Sequence, residues 1–156
     1  MYFAEYDSPV GKLLLTSDGA SLTGIWMNRD GAFCSGEEPP VLTQVRRWLD
    51  AYFRGEPGEV TFPLNPEGTS FQKLIWDMLL EIPFGQTRTY GDLAREAASR
   101  MGKGKMSAQA VGGAVGRNPI SIVIPCHRII GASGRLTGYA GGLDKKKWLL
   151  THEGRK

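Results

Sequence analysis

Apolar and polar residues alternate in short runs over the first 30 residues, a pattern typical of β-strands. Residues 2–6, 12–16 and 22–27 are β-prone, and serine-proline and aspartate-glycine dipeptides mark the turns between them. Three strands joined by two tight turns predict an antiparallel β-meander at the N-terminus.

The pattern then changes to the spacing of a helix. After the proline pair at 39–40, apolar residues recur every three or four positions until Gly55, which predicts one amphipathic helix. A further strand is predicted near residues 59–62. The proline- and glycine-containing segment that follows is the best candidate linker, so we predict a small α/β domain over residues 1–67 and a second domain over residues 68–156.

Helical patterns dominate the second part. Apolar residues at helical spacing over 71–82, preceded by a threonine-serine pair as N-cap, predict the clearest amphipathic helix of the chain. Thr89 and Ser107 are predicted caps of two shorter helices, which a basic, glycine-containing loop joins as in a helix-turn-helix. A last helix is predicted to begin near Lys145 and to end near Gly154, with His152 and Glu153 closing it.

The helix after Ser107 has an unusual composition. Its sequence, AQAVGGAV, places Gly112 and Gly113 inside the helix, where each costs about 1 kcal/mol relative to alanine. Two explanations remain open: tight packing against another helix, or a face that lies against a narrow surface such as a DNA minor groove. The distribution of charge favours the second explanation.

Charge is divided unevenly along the chain. The net charge of +3 combines −5 over residues 1–67, from 5 basic and 10 acidic residues, with +8 over residues 68–156, from 14 basic and 6 acidic residues. Such asymmetry indicates a polyanionic partner for the second part, although a solvated basic surface has the same composition.

One segment, NPISIVIPCHRII at 118–130, contains the candidate chemistry. Residues 121–124 are small or apolar and predict a short buried strand or extended run, which Pro125 stops directly before Cys126. A free cysteine there is commonly a core residue, but a thiol becomes nucleophilic beside a base or a cation. His127 and Arg128 are candidates for both, so core and nucleophile remain open.

Several classes of protein are disfavoured by composition. With only two cysteines, Cys34 and Cys126, the chain lacks a disulfide framework or a four-cysteine zinc site, and we take Cys34 as incidental. Residues 1–67 contain only one cysteine, Cys34, and no histidine. No apolar run approaches the roughly 20 residues of a membrane span, and no signal-peptide pattern begins the chain. We expect a cytoplasmic protein without a membrane partner.

The motif PCHRI, preceded by AVGGAVGRNP and followed by GYAGGLDKKKWLLTHEG, resembles the O6-alkylguanine-DNA alkyltransferase family. The resemblance runs from about residue 70 to residue 154, whereas the N-terminal part fits by length and pattern alone. It implies a ribonuclease-H-like α/β N-terminal domain, followed by a mainly α C-terminal domain with a winged-helix-like helix-turn-helix.

The resemblance also implies a function. The protein is expected to bind alkylated duplex DNA through the minor groove as a monomer, flip the damaged base out, and transfer a methyl or other alkyl group from O6-alkylguanine irreversibly to Cys126. O4-alkylthymine is a second expected substrate, each molecule acts once, and no cofactor is needed. Zinc sites of some family members use cysteines and histidines of the N-terminal part, which residues 1–67 lack apart from Cys34, so we predict no metal site. Glu153 and His127 would remove the thiol proton through a water, Tyr90 would donate to the departing guanine, and Asn118 would brace the turn.

Two further residue sets follow from the same resemblance. The DNA-binding residues implied by it are Gln109, Ala110, Gly112, Gly113, Arg117 and Arg128. The substrate-pocket residues implied by it are Val115, Ile129, Tyr139, Ala140 and Gly141.

The sequence departs from the family pattern at two of these positions. Gln109 stands where the family usually carries an arginine that fills the gap left by the flipped base, which predicts weaker base extrusion. Val115 is smaller than the usual residue, which predicts a pocket open to larger alkyl groups.

The alternative function is a non-catalytic sensor of alkylated DNA. A cysteine hydrolase would turn over, and a regulator of this family would need more cysteines than this chain has.

Overall fold

The computed structural model describes residues 1–27, 29, 37–139 and 141–154. The chain divides into two compact units, and it returns once to the first of them. The first unit comprises residues 1–67 together with 119–123, and the second comprises residues 68–118 and the chain from residue 124 onward. The return of 119–123 was not indicated by the sequence pattern.

An antiparallel sheet and one helix form the first unit. Strands β1 (Tyr2–Ser8), β2 (Gly11–Ser17) and β3 (Leu22–Met27) pair in the order β1-β2-β3, which confirms the predicted meander. Helix α1 (Pro40–Phe53) begins at the predicted proline pair and packs beside the sheet. The core of this unit lies between the apolar face of α1 and the central strand β2. Leu49 of the helix and Leu13 of the strand have no exposed surface.

The strand predicted near residues 59–62 is wrong. Those residues form no strand, and pairing is limited to a single parallel bridge between Leu22 and Leu64. Pro63 accepts a hydrogen bond from the Leu22 N–H at 2.9 Å, but a proline has no N–H with which to continue a ladder.

The strand or extended run predicted for residues 121–124 is also wrong, although the prediction of burial holds. Only Ile120 pairs with the sheet, through a parallel bridge to Ile25, and the chain then turns. Ile122 has no exposed surface and a φ of 71°, which is unfavourable for a β-branched residue. The two flanking prolines and the burial of these side chains override the extended preference.

Four helices dominate the second unit. They are α2 (Ser70–Leu79), α3 (Tyr90–Arg100), α4 (Ala108–Gly116) and α5 (Leu143–His152). Strands β4 (Arg88–Thr89) and β5 (Ile129–Ile130) form a small parallel pair, and short 3-10 turns cover Cys126–Arg128 and Ala132–Gly134.

The predicted N-caps are confirmed by side-chain geometry. Thr69 and Thr89 each form a capping box with the residue three positions later, and the Ser107 hydroxyl accepts from two N–H groups of the first turn of α4. Two boundaries differ from the prediction. Helix α2 ends at Leu79, before tight turns lead to Pro83, and α5 begins at Leu143, directly after Gly142 with its φ of 108°.

Helices α3 and α4 pack against each other, as the helix-turn-helix pattern predicted. Helix α2 supports α4 through the Trp76 indole, which donates to the Ala114 carbonyl at 2.9 Å. Arg100 at the end of α3 pairs with Glu81 and Glu96, at 2.7 and 3.1 Å. The Trp76 hydrogen bond therefore holds the inner face of α4, and the Arg100 ion pairs connect α3 to the segment that follows α2.

Candidate active site

Cys126 opens the 3-10 turn that directly follows Pro125. Its side chain is 7% exposed, and the neighbouring Ile124 and Ile129 are fully buried. Asn118 donates from its side-chain amide to the Ile124 carbonyl at 2.8 Å, across the base of the turn. The thiol is therefore held by a rigid, buried backbone.

Two opposing influences act on the Cys126 thiol. Burial raises its pKa, because a thiolate loses hydration in an apolar environment. A hydrogen bond from the Asn118 side chain, the nearby Lys146 cation, and the backbone N–H groups of Cys126 and His127 act in the opposite direction. Burial dominates, so the resting group is a thiol with donors already aimed at its sulfur.

Glu153, the residue that caps the C-terminus of α5, contacts the two side chains that follow Cys126. Its carboxylate lies 2.5 Å from His127 Nε2, and it accepts from Arg128 Nε at 2.7 Å and Arg128 Nη2 at 3.2 Å. The Gly85 N–H donates to the same carboxylate at 3.1 Å. A buried carboxylate with four donors is satisfied in the way that ionised groups in protein interiors require.

This arrangement determines the state of His127. Burial lowers the pKa of its imidazole, and Glu153 opposes that shift. Because Arg128 already balances the charge of Glu153, we take His127 as neutral, with Nε2–H donating to the carboxylate. Nδ1 is then a bare acceptor, and it has no hydrogen-bond partner among the described residues. A neutral imidazole with a free, buried nitrogen is a candidate general base.

Lys146 is a buried cation that the sequence analysis did not select. It has no exposed surface, its Nζ donates to the Thr137 carbonyl at 2.8 Å, and it lies 5.9 Å from the Tyr90 ring centroid. A helical-spacing signal was available, because Lys146 lies three, four and seven positions before Leu149, Leu150 and Glu153, all buried.

Tyr90, the first residue of α3, lies in the same region. Its hydroxyl donates to the Thr137 carbonyl at 3.3 Å, so this carbonyl accepts from both Tyr90 and Lys146. Burial is the main cause that raises the Tyr90 pKa, and negative charge on Cys126, once its thiol ionises, raises it further. The phenol therefore stays protonated and remains a proton or hydrogen-bond donor near the sulfur.

The comparisons agree with a buried turn that carries Cys126 and His127, bonded to Glu153 at the end of α5, in a unit with a helix-turn-helix. The ribonuclease-like domain of 6-O-methylguanine DNA methyltransferase matches residues 1–66, and the DNA binding domain of the same family matches residues 70–155. The chain belongs to the 6-O-methylguanine DNA methyltransferase family.

Named relatives cover almost the whole chain. The methylated-DNA–protein-cysteine methyltransferase of Methanosarcina acetivorans is 45% identical over 161 residues, or 99% of each chain. That of Haemophilus influenzae is 46% identical over 159 residues, or 98% of this chain and 86% of its own. The crystal structure of Mycobacterium tuberculosis OGT in complex with DNA is 42% identical, with a TM-score of 0.84, over 98% of this chain and 92% of that one. The predicted family and fold class are confirmed.

The DNA-binding set implied by the resemblance divides into two groups. Gln109, Ala110, Gly113 and Arg117 are exposed along or just beyond α4, whereas Gly112 faces the Tyr90 ring. Arg128 is different, because it is 7% exposed and its guanidinium contacts Glu153 and the Ile82 carbonyl. The burial of Arg128 contradicts its assignment to the DNA-binding surface.

The implied pocket residues occupy different environments. Val115 and Ile129 are 3% and 0% exposed, Gly141 is buried, and Tyr139 is half-buried. Ala140 lies outside the described residues, as does Cys34 of the first unit.

Among the residues that the structure describes, no cluster of three potential metal ligands occurs, and no helix has the length and apolar character needed to cross a bilayer.

Proposed function

We propose that this protein repairs DNA by transferring the alkyl group of O6-alkylguanine to its own Cys126 in a single, irreversible turnover. The general activity, a DNA-repair methyltransferase acting on methylated DNA, is that of its family and named relatives. The observation that supports the assignment to Cys126 is the buried turn that places this thiol beside His127, itself bonded to Glu153 at 2.5 Å. O4-alkylthymine is proposed as a second substrate.

The proposed reaction is an in-line displacement. Through a bridging water, the Cys126 proton passes to His127 Nδ1, and the sulfur lone pair forms a bond to the alkyl carbon. The bond between that carbon and guanine O6 breaks, its electron pair stays with guanine, and Tyr90 supplies a proton or hydrogen bond to the leaving base. Positioned reactants of this kind lower a barrier by about 7–11 kcal/mol. The alkyl group remains on sulfur, so the protein is consumed.

Two side chains are proposed to position the nucleophile. Asn118 holds the Cys126 turn through the Ile124 carbonyl and hydrogen-bonds the sulfur, and Lys146 supplies positive charge that favours the thiolate. Val115, Ile129, Tyr139 and Gly141 are proposed to line the guanine pocket. We also propose that the protein acts as a monomer in the cytoplasm.

The test is intact mass after incubation with a duplex containing one O6-methylguanine, followed by peptide mapping. One added methyl on Cys126, in one-to-one stoichiometry, is the expected result. Cys126→Ser is the matched control and should gain no mass. Tight binding to the duplex without added mass would instead establish a sensor of alkylated DNA, and release of product with repeated turnover would establish a hydrolase.

We propose that the exposed face of α4 lies against the DNA minor groove. A Cβ added at Gly113 would meet no atom within 4 Å, and the same is true at Gly116. Tight packing inside the molecule therefore does not explain glycine at these positions, which leaves the explanation based on an external surface. Gln109 and Ala110 lie on the exposed first turn of the same helix.

Gly113→Ala should have opposite effects on stability and on DNA binding. Alanine is the better helix former by about 1 kcal/mol, so the variant should melt about 2–4 °C higher. The added methyl would separate the helix from the groove floor and should weaken duplex binding about tenfold, a change of about 1.4 kcal/mol. Thermal unfolding and fluorescence anisotropy measure the two effects. A more stable variant with unchanged DNA affinity would contradict the placement of α4.

Gln109→Arg should accelerate repair of duplex DNA without changing repair of a free base. Filling a gap in the base stack is worth about 1–3 kcal/mol, so an increase of about tenfold is expected at limiting DNA. The measurement compares alkylation rates with an O6-methylguanine duplex and with free O6-benzylguanine. Equal acceleration on both substrates would show that the residue acts on chemistry rather than on base extrusion.

A further inference from the structure

A basic groove lies on the side of α3 that faces the loop joining it to α4. It has a volume of about 590 Å³. Ala94 and Ala98 of α3 line it together with Arg95, Lys103 and Lys105, so small side chains adjoin cationic ones. We call residues 101–106, which join the two helices, the basic loop.

The cations around this groove differ in their partners. Arg95 pairs with Asp92, and Arg100, at the end of α3, pairs with Glu81 and Glu96. Lys103 and Lys105 are exposed, and neither forms an ion pair with any residue that the structure describes. Two unpaired ammonium groups on one short loop have their charge available for an external anion.

The backbone of the basic loop is also open to a partner. Gly102 has a φ of 68°, a conformation that the turn itself requires of a glycine. Gly104 has no such requirement, and a Cβ placed on it would meet nothing within 4 Å. Neither the turn nor internal packing explains glycine at 104, whereas close approach of an external group does.

The basic loop lies close in sequence to the first turn of α4, which makes DNA phosphate the anion that best fits it. Lys105 precedes Gln109 by four residues, so their Cα atoms are separated by at most about 14 Å. The phosphates of one strand are spaced about 3.4 Å apart along the axis of the duplex, and a helix in the minor groove lies between two phosphate backbones. A cation this close to the first turn of α4 would meet a phosphate within about four nucleotides of the flipped base.

We propose that the basic loop is a second DNA contact, in which Lys103 and Lys105 bind backbone phosphates beside the minor groove that receives α4. This proposal rests on the proposed function, because it takes α4 as the DNA-facing helix. The contact is independent of sequence and of damage, and its role is to hold the protein in register while the base is extruded.

The test is the salt dependence of binding to an undamaged duplex, measured for wild type and for Lys103→Gln/Lys105→Gln. Each phosphate contact contributes about 0.9 to the slope of log Kobs against log salt, so the slope should become shallower by about 1.8. The ratio of the wild-type binding constant to that of the variant should then fall about twelvefold between 50 and 200 mM salt.

The control is Lys73→Gln/Lys147→Gln, which removes the same charge from two exposed lysines of the same unit outside the basic loop. An unchanged slope in the loop variant, or an equal change in the control, would overturn the proposal; the first outcome would leave an acidic protein partner as the occupant. Methylation of Cys126 by a duplex containing O6-methylguanine is measured separately. Its absence in the wild type would refute the proposed chemistry and leave the slope comparison, made with an undamaged duplex, valid.

Discussion

Arg128→Met should lower the free energy of unfolding by about 3–5 kcal/mol, the loss expected when one partner of a buried ion pair is removed. Arg128 is 7% exposed and gives two hydrogen bonds to Glu153, whose side chain has no exposed surface. Removing the guanidinium leaves a carboxylate buried without its main counter-charge and leaves the Ile82 carbonyl without a donor. Urea unfolding measures the loss.

Two comparisons make this prediction specific. Arg95→Met removes an exposed arginine that pairs with Asp92, and it should change stability by no more than about 1 kcal/mol. Arg128→Met combined with Glu153→Gln should recover part of the loss, because both members of the buried pair are then neutral. If Arg128→Met retains full stability but reduces the salt slope of DNA binding by about 1, the guanidinium contacts phosphate after all.

His127→Gln should slow alkylation of Cys126 by about 10²–10⁴-fold at neutral pH, the range that a positioned general base contributes. Burial raises the pKa of the Cys126 thiol, so little thiolate exists without a base. Burial also lowers the pKa of His127, so its neutral, proton-accepting form persists as the pH falls. The wild-type rate should therefore change little between about pH 8 and pH 6.5.

The pH profile separates a base from a merely structural histidine. Without His127, the rate should follow the free thiolate and rise about tenfold per pH unit below the thiol pKa. The matched control is His152→Gln, which replaces the other histidine of the chain, on α5. The rate constant is measured with free O6-benzylguanine, so that DNA binding does not enter. A variant that is slow but has the flat wild-type profile would count against the proton-transfer role.

Much of the architecture was predictable because it depends on neighbours in sequence. The meander, the helix that opens at the proline pair, and the caps Thr69, Thr89 and Ser107 follow from local propensity and capping chemistry. The extended preference at 121–124 failed because tertiary burial of Ile122 in a turn outweighs the β-propensity of its side chain.

In the candidate site, too, local features were predictable from the sequence and tertiary contacts were not. From the sequence alone, Cys126 could be identified as the candidate nucleophile, with His127 beside it and Glu153 as a possible partner, because a specific motif carries all three residues. Residue type does not show whether a cation is exposed or buried. The family resemblance places Arg128 among the DNA-binding residues and gives no role to Lys146. Both are buried in the structure.

The sequence by itself determined the family, the N-terminal meander, the helices and their caps, and the candidate reactive thiol, Cys126. Only the tertiary structure decided that Arg128 neutralises Glu153, that Lys146 lies beneath Tyr90, and that Gly113 faces open space. The physical reason for this difference is that the spacing of apolar residues shows which face of a helix or strand is buried. It does not show which residue from a distant part of the chain packs against that face. Whether a charged side chain is solvated or paired depends on that distant partner.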